Sequence, residues 1–302
     1  MLAVLAVSVT GSVPLTGASR QAGEVYVALG DSYTAGPVVP TQLPDPPGCF
    51  RSDQNYPHVL APALPAAGFA DVSCSGATTA AMTAPQAVPG GANPPQFDRL
   101  DATTTLVTIG IGGNDIGFTD IAISCISIDP NATPCLDRYV VGGVDEVSGR
   151  IAAAAPNVLA AFQGITARAP NARVFVVAYI AIVPADGVAC RPQLLYSQPD
   201  IEYLRDKQQE LNAMIAGQAT TAGATYVDAY AASVGHDACQ APGVRWVEPI
   251  VAASPAAPLH PNALGMQCVA SVVQAAVQPG APTTITCPQG ATPVAASPRF
   301  TG

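Results

Sequence analysis

Apolar residues occur in two arrangements along the chain: short continuous runs, and longer segments in which they recur at helical spacing. The short runs are rich in β-branched residues and mostly end at turn-forming residues, so they predict strands. The predicted strands are 25–29, 70–74, 103–111, 173–179 and 224–228. The run 173–179 is apolar throughout after Arg173, which is typical of a strand covered on both faces.

Helical segments alternate with these strands, most clearly over 200–222, where the charged residues lie away from an apolar stripe. The stripe consists of Ile201, Leu204, Leu211 and Ile215, and the charged residues are Glu202, Arg205, Asp206 and Lys207. The other predicted helices are 56–67, which contains three prolines, 144–169, which Pro156 is expected to kink, and a last helix from a cap at Asn262 to about Val277. The alternation predicts one domain over 24–279, a three-layer α/β/α sandwich with a central parallel sheet.

The remaining segments are polar or rich in proline and glycine, and they predict loops. They are 37–47, 83–98, the insertion 119–143, which includes a glycosylation sequon at Asn131, and a Pro/Ala/Thr-rich tail over 280–302. We therefore expect the tail to be loose.

Composition excludes several classes of partner. Of the 302 residues, 49% are apolar and 11% are charged, and 12 basic against 21 acidic side chains give a net charge of −9. Without a Lys/Arg-rich run, the chain fits neither nucleic acid nor an anionic membrane surface. No apolar stretch reaches the about 18 residues of a transmembrane helix. We expect the protein to be a monomer.

Eight cysteines are scattered along the chain, and none forms a Cys-x-x-Cys pair or has a histidine at zinc-ligand spacing. This argues against a metal site and for disulfides, which require an oxidising compartment. Residues 2–9 resemble the apolar core of a signal peptide, which we place at 1–23. The predicted location is therefore extracellular or the cell envelope.

Four polar motifs stand at points where a parallel sheet could bring them together. Gly30-Asp31-Ser32, Ser75-Gly76-Ala77 and Gly112-Gly113-Asn114-Asp115 follow predicted strands, and Leu259-His260-Pro261-Asn262 precedes the last helix. In such a sheet the carboxyl ends of all strands share one edge, where open α/β folds bind their ligands. The Gly-x-Ser-x-Gly pattern of α/β-hydrolases is absent, because Thr34 occupies the place of its second glycine.

This set of motifs resembles the SGNH (GDSL) hydrolases, over about residues 24–278, and Gly-Gly-Asn-Asp is its most specific part. The resemblance implies a flavodoxin-like α/β/α fold, an ester hydrolase and no cofactor or metal. Ser32 is then the nucleophile, which needs a neighbouring base. Of the three histidines, His260 is the predicted base, held between prolines, while His58 and His236 are expected to be surface residues.

Negative charge that develops on the ester carbonyl oxygen requires fixed donors. The candidates are the Ser32 and Gly76 amides and the Asn114 side chain. Glycine at 76 lets the oxygen approach its amide closely. The alternative is that Gly76 and Asn114 are there only because glycine and asparagine are common in turns.

The family usually has an aspartate three residues before the histidine, where this chain has Ala257. A backbone carbonyl of Ala257 or Pro258 is therefore predicted to hold the histidine Nδ1–H. Such a Ser–His dyad is similar to that of the secreted actinobacterial esterase/lipase branch. That resemblance also implies the disulfides Cys49–Cys74, Cys125–Cys135 and Cys190–Cys239, which leaves Cys268 and Cys287 as the fourth pair.

The leading hypothesis is a secreted serine carboxylic-ester hydrolase that cleaves acyl esters, lipids above all, through an acyl-enzyme. Two alternatives stay open. One is a carbohydrate acetylesterase or acyltransferase with the same dyad, which would need a narrow polar acyl pocket. The other is a non-catalytic envelope module that binds lipids or glycans.

Overall fold

The computed structural model describes residues 23–288, and a five-stranded parallel sheet lies at its centre. The strand order is β2-β1-β5-β8-β9, and each neighbouring pair is parallel. The strands are β1 Glu24–Gly30, β2 Ala66–Asp71, β5 Leu106–Gly110, β8 Arg173–Val177 and β9 Thr225–Val227, and two short hairpins are formed by β3 Gln86–Val88 with β4 Gly91–Asn93 and by β6 Val140–Val141 with β7 Val144–Asp145. Apart from residue 23, the predicted signal peptide lies outside the described residues.

Helices cover both faces of the sheet, and the most extensive helix contacts are those of α5 with α6 and of α2 with α8. The helices are α1 Ser32–Ala35, α2 Tyr56–Leu60, α3 Phe118–Ser124, α4 Pro134–Tyr139, α5 Glu146–Arg168, α6 Gln198–Thr221, α7 Ala229–Ser233 and α8 Ala263–Val277. All five residues of the central strand β5 are buried, as both-sided coverage requires. The predicted three-layer α/β/α fold is confirmed. No helix within 23–288 is long and apolar enough to cross a membrane.

The second strand starts earlier than predicted, because the helix before it is shorter. Helix α2 ends at Leu60 and a 3₁₀ turn follows over Ala61–Ala63. Pro65 disfavours helical backbone at the residue before it, and Leu64 is extended, with φ −98° and ψ 153°. The chain therefore enters β2 at Ala66, and the predicted helix over 56–67 is wrong in its second half.

Two segments predicted as loops contain regular structure. The β3–β4 hairpin lies within 83–98, and the 3₁₀ turn Gln96–Arg99 begins there. The insertion 119–143 contains α4 and overlaps with α3 and the β6–β7 hairpin. Helix α5 begins at Glu146 rather than 144, because the Asp145 side chain caps it by accepting from the Val147 and Ser148 amides. The hairpins, the 3₁₀ turn, α3 and α4 are too short for hydrophobic periodicity to reveal them.

The apolar stripe of α6 is confirmed, since its four residues Ile201, Leu204, Leu211 and Ile215 are all buried. Lys207 departs from the prediction, because it is 8% exposed instead of facing solvent. Its ammonium group lies 2.8 Å from an Asp145 oxygen and 2.5 Å from a Glu210 oxygen. Lys207 therefore joins α6 to the start of α5.

Four disulfides cross-link the chain: Cys49–Cys74, Cys125–Cys135, Cys190–Cys239 and Cys268–Cys287. They are the pairs expected above. The last one ties the beginning of the predicted tail to α8, where the amides of Thr284 and Ile285 donate to the Gln274 side chain at 3.0 Å. This part of the tail is thus anchored to α8, with Ile285 buried, and residues 289–302 of the predicted tail lie outside the described residues.

Candidate active site

Ser32 lies at the carboxyl end of β1, where a sharp turn leads into α1. Gly30 has φ +147°, a value that side chains rarely allow, and the Asp31 amide donates to the Gly110 carbonyl of the neighbouring strand at 3.1 Å. Asp31 caps α1 by accepting from the Tyr33 amide at 2.9 Å. Ser32 is the first residue of this helix, so its own amide has no partner within the helix and is free to donate to a ligand.

His260 is brought to Ser32 by the loop before α8. Its Nε2 lies 2.8 Å from the Ser32 Oγ, and its Nδ1 lies 2.8 Å from the Pro258 carbonyl oxygen. A carbonyl only accepts, so Nδ1 carries the proton and Nε2 of the neutral ring is left to accept from the serine hydroxyl. The Ala257 carbonyl accepts the His260 backbone amide at 3.1 Å instead. Of the two carbonyls considered from sequence, Pro258 thus contacts the ring.

Burial of the imidazole lowers the pKa of His260 below its ordinary 6.5, and the Pro258 carbonyl opposes this by stabilising the protonated ring. This direction favours the neutral ring, the state in which it can accept a proton. None of the carboxylates within 23–288 contacts either ring nitrogen.

The other predicted donors lie on neighbouring loops. The Asn114 side-chain amide donates to the Ala77 carbonyl at 2.9 Å, which links the loop after β2 to the loop after β5 and leaves one N–H of that amide unused. Gly76 directly precedes Ala77, is exposed and has φ +77°. Asn114, Ser32 and His260 line one small cavity, whereas Gly76 does not contribute to its wall.

Sequence reasoning gave Asp31 and Tyr179 no role, although they connect the serine turn to the Gly113–Asn114 turn. The Tyr179 hydroxyl donates to Asp31 and accepts from the Gly113 amide at 2.7 Å. Asp31 is 1% exposed, and this burial raises its pKa to about 7. A usable signal existed, since Tyr179 ends a predicted strand at the same edge as Ser32.

An apolar cleft of about 250 Å³ opens beside His260. It runs between α3 and the loop that carries His260, and twelve residues line it: Tyr33, Phe118, Thr119, Ala122, Ile123, Ile126, Ile182, Ile250, Ala257, Pro258, Leu259 and His260. Because only Tyr33, Thr119 and His260 bear polar side-chain atoms, the cleft suits a hydrocarbon chain better than a sugar.

The two other histidines lie apart from Ser32. His58 Nδ1 is 2.8 Å from the Asn55 side-chain oxygen. His236 is partly buried rather than a solvated surface residue: its ring stacks on Trp246 with centroids 4.7 Å apart, and its Nδ1 is 2.6 Å from the Val244 carbonyl oxygen.

Comparison with known proteins places the chain in a family. Residues 28–268 match the model of the GDSL-like lipase/acylhydrolase family. The chain belongs to this family. This GDSL-like hydrolase is 42% identical over 250 residues to "Lipase 2" of Streptomyces coelicolor, an alignment that covers 80% of this chain and 81% of the relative.

Two solved structures resemble the GDSL-like hydrolase along nearly their whole length. Phospholipase A1 from Streptomyces albidoflavus superposes with a TM-score of 0.71 at 26% identity, and the extracellular lipase of Streptomyces rimosus with 0.70 at 27%. Each match covers 84% of this chain and 99% of the other. The predicted family and the predicted activity are confirmed: the protein is a carboxylic-ester hydrolase.

Proposed function

We propose that this hydrolase cleaves fatty-acyl esters of lipids through an acyl-enzyme on Ser32. The observation that carries the proposal is the continuous chain of contacts from the Ser32 Oγ to His260 Nε2 and from His260 Nδ1 to the Pro258 carbonyl, each 2.8 Å long. A hydroxyl that donates to a neutral imidazole of fixed tautomer is an activated nucleophile.

In the proposed reaction, His260 Nε2 takes the serine proton while Oγ attacks the ester carbonyl carbon. The tetrahedral intermediate collapses, the bond to the alcohol breaks, and the imidazolium returns the proton to the leaving alkoxide. Water then attacks the acyl-enzyme with His260 again as base, which releases the acid and restores Ser32. The Pro258 carbonyl supports the imidazolium in the place where a triad would have an aspartate.

The oxyanion of the intermediate would receive hydrogen bonds from the Ser32 amide, the Gly76 amide and the Asn114 side chain. The first is free at the start of α1, and the third keeps one N–H available beside Ser32. Removal of one such donor typically costs about 3–4 kcal/mol of transition-state stabilisation.

The apolar cleft supports a fatty-acyl substrate over a carbohydrate acetate. An acetyl group would leave most of the about 250 Å³ empty. Each methylene that a longer acyl chain buries contributes up to about 0.8 kcal/mol, or roughly fourfold in kcat/KM.

We further propose that the protein is secreted, with residues 1–23 as its signal peptide and 24–279 as its hydrolase domain. Four disulfides within the described residues support this, since such cross-links persist in oxidising compartments.

The test combines a Ser32→Ala variant with p-nitrophenyl esters graded in length from acetyl to dodecanoyl. We expect Ser32→Ala to lose turnover and the wild type to prefer octanoyl to acetyl. Ala122→Leu, which narrows the buried wall of the cleft, should reduce octanoyl turnover more than acetyl turnover. Ala160→Leu, an exposed change on α5, is the matched control. Wild-type rates in Ser32→Ala, or equal losses on both esters in Ala122→Leu, would contradict the proposal.

A further inference from the structure

His260, the proposed base, is the last residue of a tight turn whose third residue, Leu259, has an unusual backbone conformation. The turn runs from Ala257 to His260 and is closed by the His260 amide, which donates to the Ala257 carbonyl at 3.1 Å. Pro258 is its second residue and Leu259, with φ +60°, its third. Proline followed by a left-handed residue defines a type II turn, in which glycine or asparagine normally fills the third position. A leucine there is unfavourable and must be held by its surroundings.

The turn type decides where the Pro258 carbonyl points. Type I and type II turns differ by a flip of the central peptide, which here joins Pro258 to Leu259. In the present turn this carbonyl lies 2.8 Å from His260 Nδ1. A flip to type I would relieve Leu259 and turn the carbonyl away from the ring, so the supporting contact of the base depends on a strained residue.

The Pro37 carbonyl accepts the Ala257 amide at 3.0 Å at the start of the turn, and two further groups bond to Leu259 itself. The Glu248 carbonyl accepts the Leu259 amide at 3.0 Å from one side. From the other side the Tyr33 hydroxyl donates to the Leu259 carbonyl at 2.6 Å. The Tyr33 ring also packs on the imidazole of His260, with centroids 5.1 Å apart. Tyr33 directly follows Ser32 in α1, so it connects the helix that carries the nucleophile to the turn that carries His260.

We propose that Tyr33 is a positioning residue: its hydroxyl holds Leu259 in the left-handed conformation and so keeps the Pro258 carbonyl on His260. This role rests on the proposed function of the dyad. In a Ser–His–Asp triad, an aspartate would orient the imidazole. Here Tyr33, which lies in the same motif as Ser32, would help to orient it through the Pro258 carbonyl.

The first test is Tyr33→Phe, with Tyr26→Phe as matched control. Tyr26, in strand β1, is buried and lies outside the site, and its hydroxyl is hydrogen-bonded to the Thr108 hydroxyl at 2.8 Å. We expect kcat on a short soluble ester to fall about tenfold in Tyr33→Phe, with little change in KM, because the Leu259 carbonyl loses its donor. Tyr26→Phe should retain wild-type kcat. Equal kcat in the two variants would overturn the proposal.

The second test reads the turn without any turnover, so it stays informative even if the dyad were not catalytic. In protein labelled with ¹⁵N-histidine, the hydrogen-bonded Nδ1–H of His260 should give a downfield proton signal that is lost or shifted in Tyr33→Phe. The corresponding signal of His236, whose Nδ1 faces the Val244 carbonyl at 2.6 Å, is the internal reference and should not move. A His260 signal that is unchanged in Tyr33→Phe would overturn the positioning role.

The third test is a double-mutant cycle with Leu259→Gly. Glycine adopts positive φ readily, so the turn then needs less support. We expect the loss caused by Tyr33→Phe to shrink at least threefold in the Leu259→Gly background. An undiminished loss would show that the hydroxyl does not act through Leu259 and would overturn the proposal.

Discussion

Glu248 offers a sharp test of how the loop that carries His260 is held. Its side chain is completely buried and accepts hydrogen bonds from the Arg245 guanidinium, the Asn262 side chain and the amides of Ala253 and Ser254. Its backbone also bonds to Leu259 and His260. Replacing Glu248 with glutamine keeps the shape but removes the charge that these donors surround.

The magnitude follows from the carboxyl pKa. Burial alone would raise it, but the Arg245 and Asn262 hydrogen bonds outweigh burial and lower it from 4.5 to about 2. The difference corresponds to at most about 3 kcal/mol of stability at neutral pH. Since the folded-state pKa is depressed, this stability is present above about pH 4.5 and is lost as pH falls towards about 2. Glu248→Gln should therefore lose about 3 kcal/mol at pH 7, in line with the loss of one partner of a buried pair.

The assay is urea unfolding of wild type and Glu248→Gln at about pH 7 and pH 3.5, followed by circular dichroism. The difference in the free energy of unfolding should be smaller at the lower pH. Glu146→Gln is the control, because Glu146 pairs with Arg150 at 2.6 Å on the exposed surface of α5, where such a pair is worth about 0.5 kcal/mol. A difference below about 1 kcal/mol for Glu248→Gln, or one that does not change with pH, would refute this reasoning.

Three further predictions follow. Asn114→Ala should lower kcat on a soluble ester by about 10²–10³ with a much smaller effect on KM, and a loss below tenfold would argue against an oxyanion role. The pKa of Asp31 is raised to about 7 in the folded protein, so the folded state binds this proton more tightly than the unfolded chain does. Wild type should therefore lose stability relative to Asp31→Asn as pH rises from about 4 to 7, which thermal denaturation measures. A stability difference that does not depend on pH would contradict this. Cys268→Ala with Cys287→Ala should destabilise the protein by about 3 kcal/mol in urea without changing kcat, whereas a lower kcat would connect this cross-link to the site.

Much of the fold was predictable because its signals are local. The apolar run that became β8 and the stripe on α6 each reflect burial by long elements, and periodicity reports burial directly. The meeting of Ser32 with Asn114 was also predictable, since it needs only the rule that parallel strands end at one edge.

What could not be predicted depends on partners that are distant along the chain. Lys207 is buried beside Asp145, the N-cap residue of α5, and no window around residue 207 contains that information. The choice of Pro258 over Ala257 depends on the turn at Leu259, whose left-handed backbone runs against the local preference of leucine. In the sequence, Glu248 is only the last acidic residue before His260. Its hydrogen bonds to the loop depend on how that loop folds, which the sequence pattern does not show.

Mass spectrometry of the intact protein after treatment with a fluorophosphonate tests whether Ser32 is an activated nucleophile. We predict one adduct per chain, which peptide mapping assigns to Ser32, and labelling that is at least a hundredfold slower in His260→Ala. An adduct on another residue, or Ser32 labelling at an equal rate without the imidazole, would contradict a Ser32–His260 dyad.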